Sequence, residues 1–268
     1  MGKSPTVAEV LEFLQRAAPP SLAESWDNPG LQVGFPGRPL RTLLAALDPS
    51  VSAVEQAASK GAGLVVTHHP LFFKPVSSLV FDMFPGDVVQ AAVTREISVV
   101  SLHTNLDSAR NGISDVLAEM IGLRNVEVLE ESRKDEGVGL GRIGNLVEAE
   151  PLESVFAGIK SSLGLRHIRV AGASRASVRR IAVVGGSGGG MITRAADAGA
   201  DLLLTGDVNH HQALDALHRG LIVVDAGHFA TERAAFSRVI GKLASSMNEL
   251  GWAVEVYTAE EADPLAVL

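Results

Sequence analysis

Hydrophobic positions recur along this chain with two periods. Residues 6–18 place Val7, Val10, Leu11 and Leu14 on one side of a 3.6-residue repeat, which predicts an amphipathic helix; Pro19-Pro20 stops it. A turn follows at residues 26–30, then a short strand at 31–34. From residue 42 the pattern changes to short apolar runs separated by mixed stretches. Strands are predicted at 43–47, 64–66 and 97–101, with helices at 52–59 and about 87–95 between them. This βαβαβ order implies a parallel sheet with helical crossovers.

The second half repeats the plan. Strands are predicted at 181–184, 202–205 and 221–224, with helices at 191–198 and 211–218. The run Leu202-Leu203-Leu204-Thr205 matches Leu64-Val65-Val66-Thr67, and Gly199-Ala200-Asp201 before it echoes Gly61-Ala62-Gly63. We read two related α/β lobes, each a mostly parallel sheet flanked by helices, with a metal site in the cleft between them. The expected lobes are residues 1–127 and 128–268, the C-terminal segment packing back onto the first. Residues 130–144, charged and glycine-rich, read as a surface loop or linker. Residues 152–163 read as helix.

Three of the apolar runs end directly in metal-ligand chemistry. Thr67 is followed by His68-His69-Pro70. Ser101-Leu102 leads to His103 and, four residues on, Asp107. Val224-Asp225 leads to His228 and, again four residues on, Glu232. Parallel strands of one sheet point the same way, so groups at their carboxyl ends converge. If a helix begins near Thr231, His228 and Glu232 share one face of it. Three imidazoles and two carboxylates (His68, His69, Asp107, His228, Glu232) exceed what one catalytic zinc with an open position takes. They suit two ions bridged by a carboxylate and a water.

Composition narrows the chemistry. The 268 residues contain no cysteine, so any metal is held by N and O ligands. Zinc, iron, manganese and cobalt all accept such a set. Aromatic residues make up only 4%, leaving a core of Val, Leu, Ile and Ala, as in covered parallel sheets. The formal charge of −8 disfavours a nucleic-acid partner, which needs a basic footprint. No apolar run approaches the length of a membrane span and no signal core opens the chain, so a cytoplasmic protein is expected.

Other segments carry alternatives. Gly185–Gly190 lies between a strand and a helix; its amides are read either as a phosphate cradle or as a tight turn. It is no Walker loop, since no Gly-Lys-Ser/Thr follows. Arg142, in a second glycine segment, is read as structural, with a phosphate clamp as the alternative. His103 is read as orienting a ligand or moving a proton, with direct metal ligation as the alternative. His210 and His211 either face substrate and shuttle a proton or are solvated helix-start residues. His167 and His218 look like surface residues. Asp27, Asp48 and Asp207 stand at strand ends or turns without an assignable role. A serine triad is a poor reading, for no Gly-x-Ser-x-Gly elbow is present.

Taken together, Trp26-Asp27-Asn28, Gly30-Leu31-Gln32-Val33-Gly34, Thr67-His68-His69-Pro70-Leu71, His103-Thr104-Asn105-Leu106-Asp107, Leu204-Thr205-Gly206-Asp207 and Asp225-Ala226-Gly227-His228 with Thr231-Glu232 resemble the Nif-three-like dinuclear metal family. Its bacterial members are commonly named GTP cyclohydrolase 1 type 2 homologues. The resemblance runs nearly end to end, in the compact form without an inserted middle domain. It implies a toroidal homohexamer with two divalent metal ions per subunit, a small-molecule substrate such as GTP or another nucleotide, and no membrane partner. It further implies that His69 and Asp107 hold one ion, His68 and His228 the other, and that Glu232 bridges. The expected function is hydrolytic opening of the guanine ring of GTP, with His103 or His211 moving protons. The alternatives are hydrolysis of another phosphoester, or a non-enzymatic metal-binding or regulatory hexamer.

Overall fold

The computed structural model describes residues 3–132, 137–173 and 175–265. The chain divides into two compact units. One comprises the residues up to Leu106 together with Phe236–Ala262; the other comprises Asp107–Ala235 and the residues from Asp263. The change of unit falls at 106/107.

In the first unit, α1 (Val7–Ala17) begins at a reciprocal cap: Thr6 accepts from the Glu9 amide while the Glu9 carboxylate accepts from the Thr6 amide. Its buried side is Val7, Val10 and Leu14. The sheet contains β1 (Gly30–Val33), β2 (Thr42–Ala46), β3 (Leu64–Thr67), β4 (Ser98–Ser101) and β11 (Glu255–Thr258), in the order β1-β4-β3-β2-β11. The last four run parallel; β1 lies antiparallel at one edge. Helices α2 (Val51–Ser59) and α3 (Gly86–Thr94) make the crossovers. Ala53, Val54 and Ala57 of α2 and Val88, Ala91 and Ala92 of α3 pack on Leu44, Ala46, Val65 and Val99. Every residue of β2, β3 and β4 is buried, which explains why these strands read as continuous rather than alternating apolar runs.

The second unit opens within the short α4 (Thr104–Ser108), followed by α5 (Ile113–Met120). Its sheet contains β5 (Arg124–Glu131), β6 (Gly139–Pro151), β7 (Arg169–Ala171), β8 (Ser177–Ser187), β9 (Leu202–Gly206) and β10 (Ile222–Asp225), in the order β5-β6-β8-β9-β10-β7. The centre, β8-β9-β10, is parallel, and its neighbours on both sides are antiparallel. Alternate residues face two cores. Ile181, Val183, Leu202, Leu204, Ile222 and Val224 meet Leu117 of α5 and Val155 and Ile159 of α6 (Leu152–Leu163). Ala182, Leu203 and Val223 meet Ile192 and Ala195 of α7 (Ile192–Asp197) and Ala216 of α8 (His210–Arg219). The three parallel central strands of this sheet are joined by helices in the same order as β2, β3 and β4. The long α9 (His228–Glu249) then returns the chain to the first unit.

The expected linker at 130–144 is instead the meeting of β5 and β6, paired antiparallel from Glu131↔Gly139 to Arg124↔Asn145; residues 133–136 of that expectation lie outside the described ones. β5 is an edge strand exposed along most of its length, so it carries no apolar alternation by which to read it.

Candidate metal centre

His68, His69, His103 and His228 each sit just beyond a parallel strand, with Nδ1 on an oxygen acceptor. In the first unit, His68 follows β3 and is fully buried; its Nδ1 lies 2.8 Å from the Leu102 carbonyl. His69 Nδ1 lies 2.8 Å from Asp48 Oδ1, Asp48 standing just past the end of the neighbouring β2. His103 follows β4, and its Nδ1 lies 2.8 Å from Asp27 Oδ1. A carbonyl or carboxylate oxygen accepts only, so Nδ1 carries the proton in each ring. That fixes the tautomer and puts the lone pair on Nε2, the arrangement metal-binding histidines adopt. The ligand atoms of His68, His69 and His103 all lie within 4.8 Å of one another.

The backbone holding these rings is tied down. Ser101 Oγ donates to the His68 carbonyl at 2.9 Å and Thr67 Oγ1 to that of His69 at 2.7 Å. The Glu261 carboxylate accepts the Leu47 amide at 2.8 Å and that of Asp48 at 3.1 Å, fixing the turn from which Asp48 reaches His69. Asp27 is held as firmly: it also accepts from the amide and hydroxyl of Thr104. Burial alone would raise the Asp27 carboxyl, but the bonds from His103 and Thr104 outweigh it and keep the group below the ordinary carboxylate range.

The second unit carries donors of its own, His228 and Glu232. Because α9 begins at His228, that residue and Glu232 lie one turn apart, with His228 Nε2 3.1 Å from Glu232 Oε2. His228 Nδ1 lies 2.7 Å from Asp207 Oδ2, so a lone pair on Nε2 faces a carboxylate oxygen. Two lone pairs at that distance repel unless a cation, either a proton or a metal ion, lies with them. Asp207 takes a left-handed backbone, φ 55°, which costs a non-glycine residue about 1–2 kcal/mol. Glycine would relieve this, but glycine has no carboxylate to give His228. Opposite lies Gly186, at φ +61°, where a Cβ would overlap Glu232 Oε1 and lie 3.1 Å from His228 Nε2. The chain thus holds histidine and glutamate groups able to bind a metal.

Asp107 lies half-buried on α4. His211 is exposed at the start of α8, its ring 5.6 Å from that of His210. Among the described residues, neither His210 nor His211 joins a group of three converging donors. His167 and His218 are exposed. The phosphate reading of Arg142 falls away. Arg142 is buried, its guanidinium on Asp115 and on the carbonyls of Gly139, Gly141 and Ala109, so it is structural. In the glycine run, Gly186 N donates to Thr231 Oγ1 at 3.0 Å and Gly188 N to Thr205 Oγ1 at 2.9 Å. Those amides face the protein and make a turn that leaves room for Glu232. The sequence named Asp27, Asp48 and Asp207 without assigning them; their partners are histidines 76, 21 and 21 residues away. It gave no sign of the role of Gly186.

Residues 5–264 match the model of the Duf34/NIF3 (NGG1p interacting factor 3) family. A Streptomyces coelicolor protein named GTP cyclohydrolase 1 type 2 homolog is 35% identical over 261 residues, 96% of this chain and 92% of that protein. A Clostridium perfringens protein of the same name is 33% identical over 257 residues, 96% of this chain and 97% of that protein. The crystal structure of a Bacillus cereus protein related to NIF3 aligns with a TM-score of 0.92 at 25% identity, covering 99% of this chain and 100% of that one. No helix among the described residues is long and apolar enough to cross a membrane. With the family model spanning nearly the whole sequence, and relatives alike from end to end, this chain belongs to the Duf34/NIF3 family.

Proposed function

We propose that the protein is a dinuclear metal-dependent hydrolase acting on GTP or a related nucleotide. The observation that carries this reading is the common setting of the histidines. In His69, His103 and His228 alike, Nδ1 is held by a carboxylate, which turns Nε2 away from that support, while His68 is held the same way by a carbonyl. His69 and Asp107 would hold one ion, His68 and His228 the other, with Glu232 shared. Two divalent ions supply Lewis-acid activation of water at neutral pH and polarise the bond to be cut.

The remaining chemistry belongs to the chain. Opening the guanine imidazole ring adds one water across a carbon–nitrogen bond, and a second water releases formate. Each step takes a proton from water and delivers one to a leaving nitrogen. His103, its ring fixed by Asp27, offers Nε2 for that transfer, and His211 is the second candidate. Gly186 keeps space for the Glu232 carboxylate, and Asp48 and Asp207 hold the rings of His69 and His228. The family name borne by the relatives supports the substrate class.

Mass-resolved product analysis of GTP incubated with metal-loaded protein, beside Glu232→Ala, tests this. Formate and a ring-opened nucleotide are expected from the unaltered protein and not from the variant. Release of phosphate instead would move the reading to phosphoester hydrolysis. An inert protein with both ions bound would sink the nucleotide hydrolase.

A further inference from the structure

Beside the first-unit histidines lies a feature that metal binding does not use. Trp26 is 58% exposed and Phe73 47%, yet the two rings are stacked, with planes 15° apart and centroids separated by 6.3 Å. The His103 ring stands edge-on to both, 5.9 Å from Trp26 at 71° and 5.4 Å from Phe73 at 86°. The three centroids make a nearly equilateral triangle. His103 thus presents its edge to both rings.

The walls are braced by polar contacts that exposed packing alone would not require. Asp27, next to Trp26, has a fully buried carboxylate bonded to His103. Asn28 Nδ2 donates to the Phe72 carbonyl at 2.8 Å. Gln32 Oε1 accepts the Phe72 amide at 3.2 Å, and Gln32 Nε2 donates to the Asn28 carbonyl at 2.8 Å. These bonds tie the turn carrying Trp26 to the loop carrying Phe73.

We propose that Trp26 and Phe73 are the walls of a subsite for a planar heteroaromatic ring of the nucleobase type, with His103 at its inner edge. Both rings are exposed and nearly parallel, so each offers a face on which a flat ring can stack. Stacking on aromatic side chains tolerates any base, so these walls select a flat ring rather than one particular base. A cavity of about 420 Å³ adjoins them, bounded also by Asn28, Phe72 and Lys74, which is within the range of small-molecule sites. Lys74 places a positive charge on the same rim, matched to an anionic tail. The inference rests on the hydrolase reading and deepens it by naming the ring that His103 would meet.

The test uses full-length, metal-loaded protein. Trp252→Phe leaves Trp26 as the lone tryptophan, so its emission reports directly on the slot. Guanosine and GTP should quench it saturably, and ribose 5-phosphate should not. Phe73→Ala should weaken guanosine binding about tenfold while bound metal per chain stays the same. Calorimetry of guanosine binding to the unaltered chain covers the case in which Trp252→Phe fails to fold. Absence of both quenching and heat up to millimolar guanosine overturns the subsite. So does a Phe73→Ala protein that binds guanosine normally but forms a smaller assembly, since the rings would then serve contact between copies. Guanosine binding by protein that takes up no metal upholds the subsite and removes the hydrolase. Phosphomonoester hydrolysis without guanosine binding removes the subsite alone.

Discussion

Gly186 shows how much of the centre depends on an atom that is not there. A methyl group at this position would overlap the Glu232 carboxylate, on a backbone already left-handed at φ +61°. Gly186→Ala should therefore push Glu232 aside and strain the turn, lowering stability by about 1–2 kcal/mol and removing metal from the second-unit donors. Gly190→Ala is the control, because nothing lies within 4 Å of its Cβ position. Metal content by plasma mass spectrometry, read beside a thermal melt, checks both; equal metal in the two variants would refute the steric argument. Asp207 makes the complementary case. Asn tolerates the left-handed backbone, and its carbonyl still accepts from His228 Nδ1, but the negative charge that makes the ring a stronger ligand is lost. Asp207→Asn should keep its fold while metal affinity falls about 10–100-fold, measured by competition with a chelator. An unchanged affinity would leave Asp207 as a turn residue only.

Among the elements, β6 depends on a buried cation. Arg142 enters the sheet where Gly139 and Gly141, both at positive φ, bring their carbonyls round to its guanidinium, and Asp115 of α5 supplies the charge. Arg142→Met keeps the length and removes the fork. It would leave a part-buried carboxylate and three carbonyls without their donor, so about 3 kcal/mol should be lost, read as a shift of the urea midpoint. Weakened GTP affinity with unaltered stability would restore the phosphate role. The sequence could not decide this case, because an arginine among glycines looks the same in a phosphate loop and in a bulged strand. β2, β3 and β4 were legible for the opposite reason: each is buried throughout, so the residue string itself is apolar. β5 and β11 are exposed edges whose existence depends on a neighbour's hydrogen bonds rather than on their own side chains. The ligand candidates His68, His69 and His228 were legible because strand ends are visible in sequence. Their supporting aspartates were not assignable, because each pairing joins the ends of elements distant in the chain.

For the molecule as a whole, each unit sets an aspartate after one parallel strand beside a histidine after the next: Asp48 after β2 serves His69 after β3, and Asp207 after β9 serves His228 after β10, one strand further along the repeat. In both units the strand ends gather lone pairs and negative charge, which the isolated chain must hold at an electrostatic cost. Under the proposed centre, metal offsets that cost and stabilises only the folded state. At a hundredfold excess of free metal over its dissociation constant the gain is about 2.7 kcal/mol for one site. For a chain of this size that corresponds to a rise in Tm of roughly 5–10 °C. Stripping with a chelator should lower Tm by that amount, and re-addition should restore it. In Glu232→Ala the melt should respond much less, since the shared ligand is gone. The comparison separates a bound centre from general ionic effects, because a nonspecific cation would raise both proteins equally. A wild-type Tm indifferent to metal, with no ion retained through gel filtration, would show that these histidines and carboxylates hold each other rather than a metal.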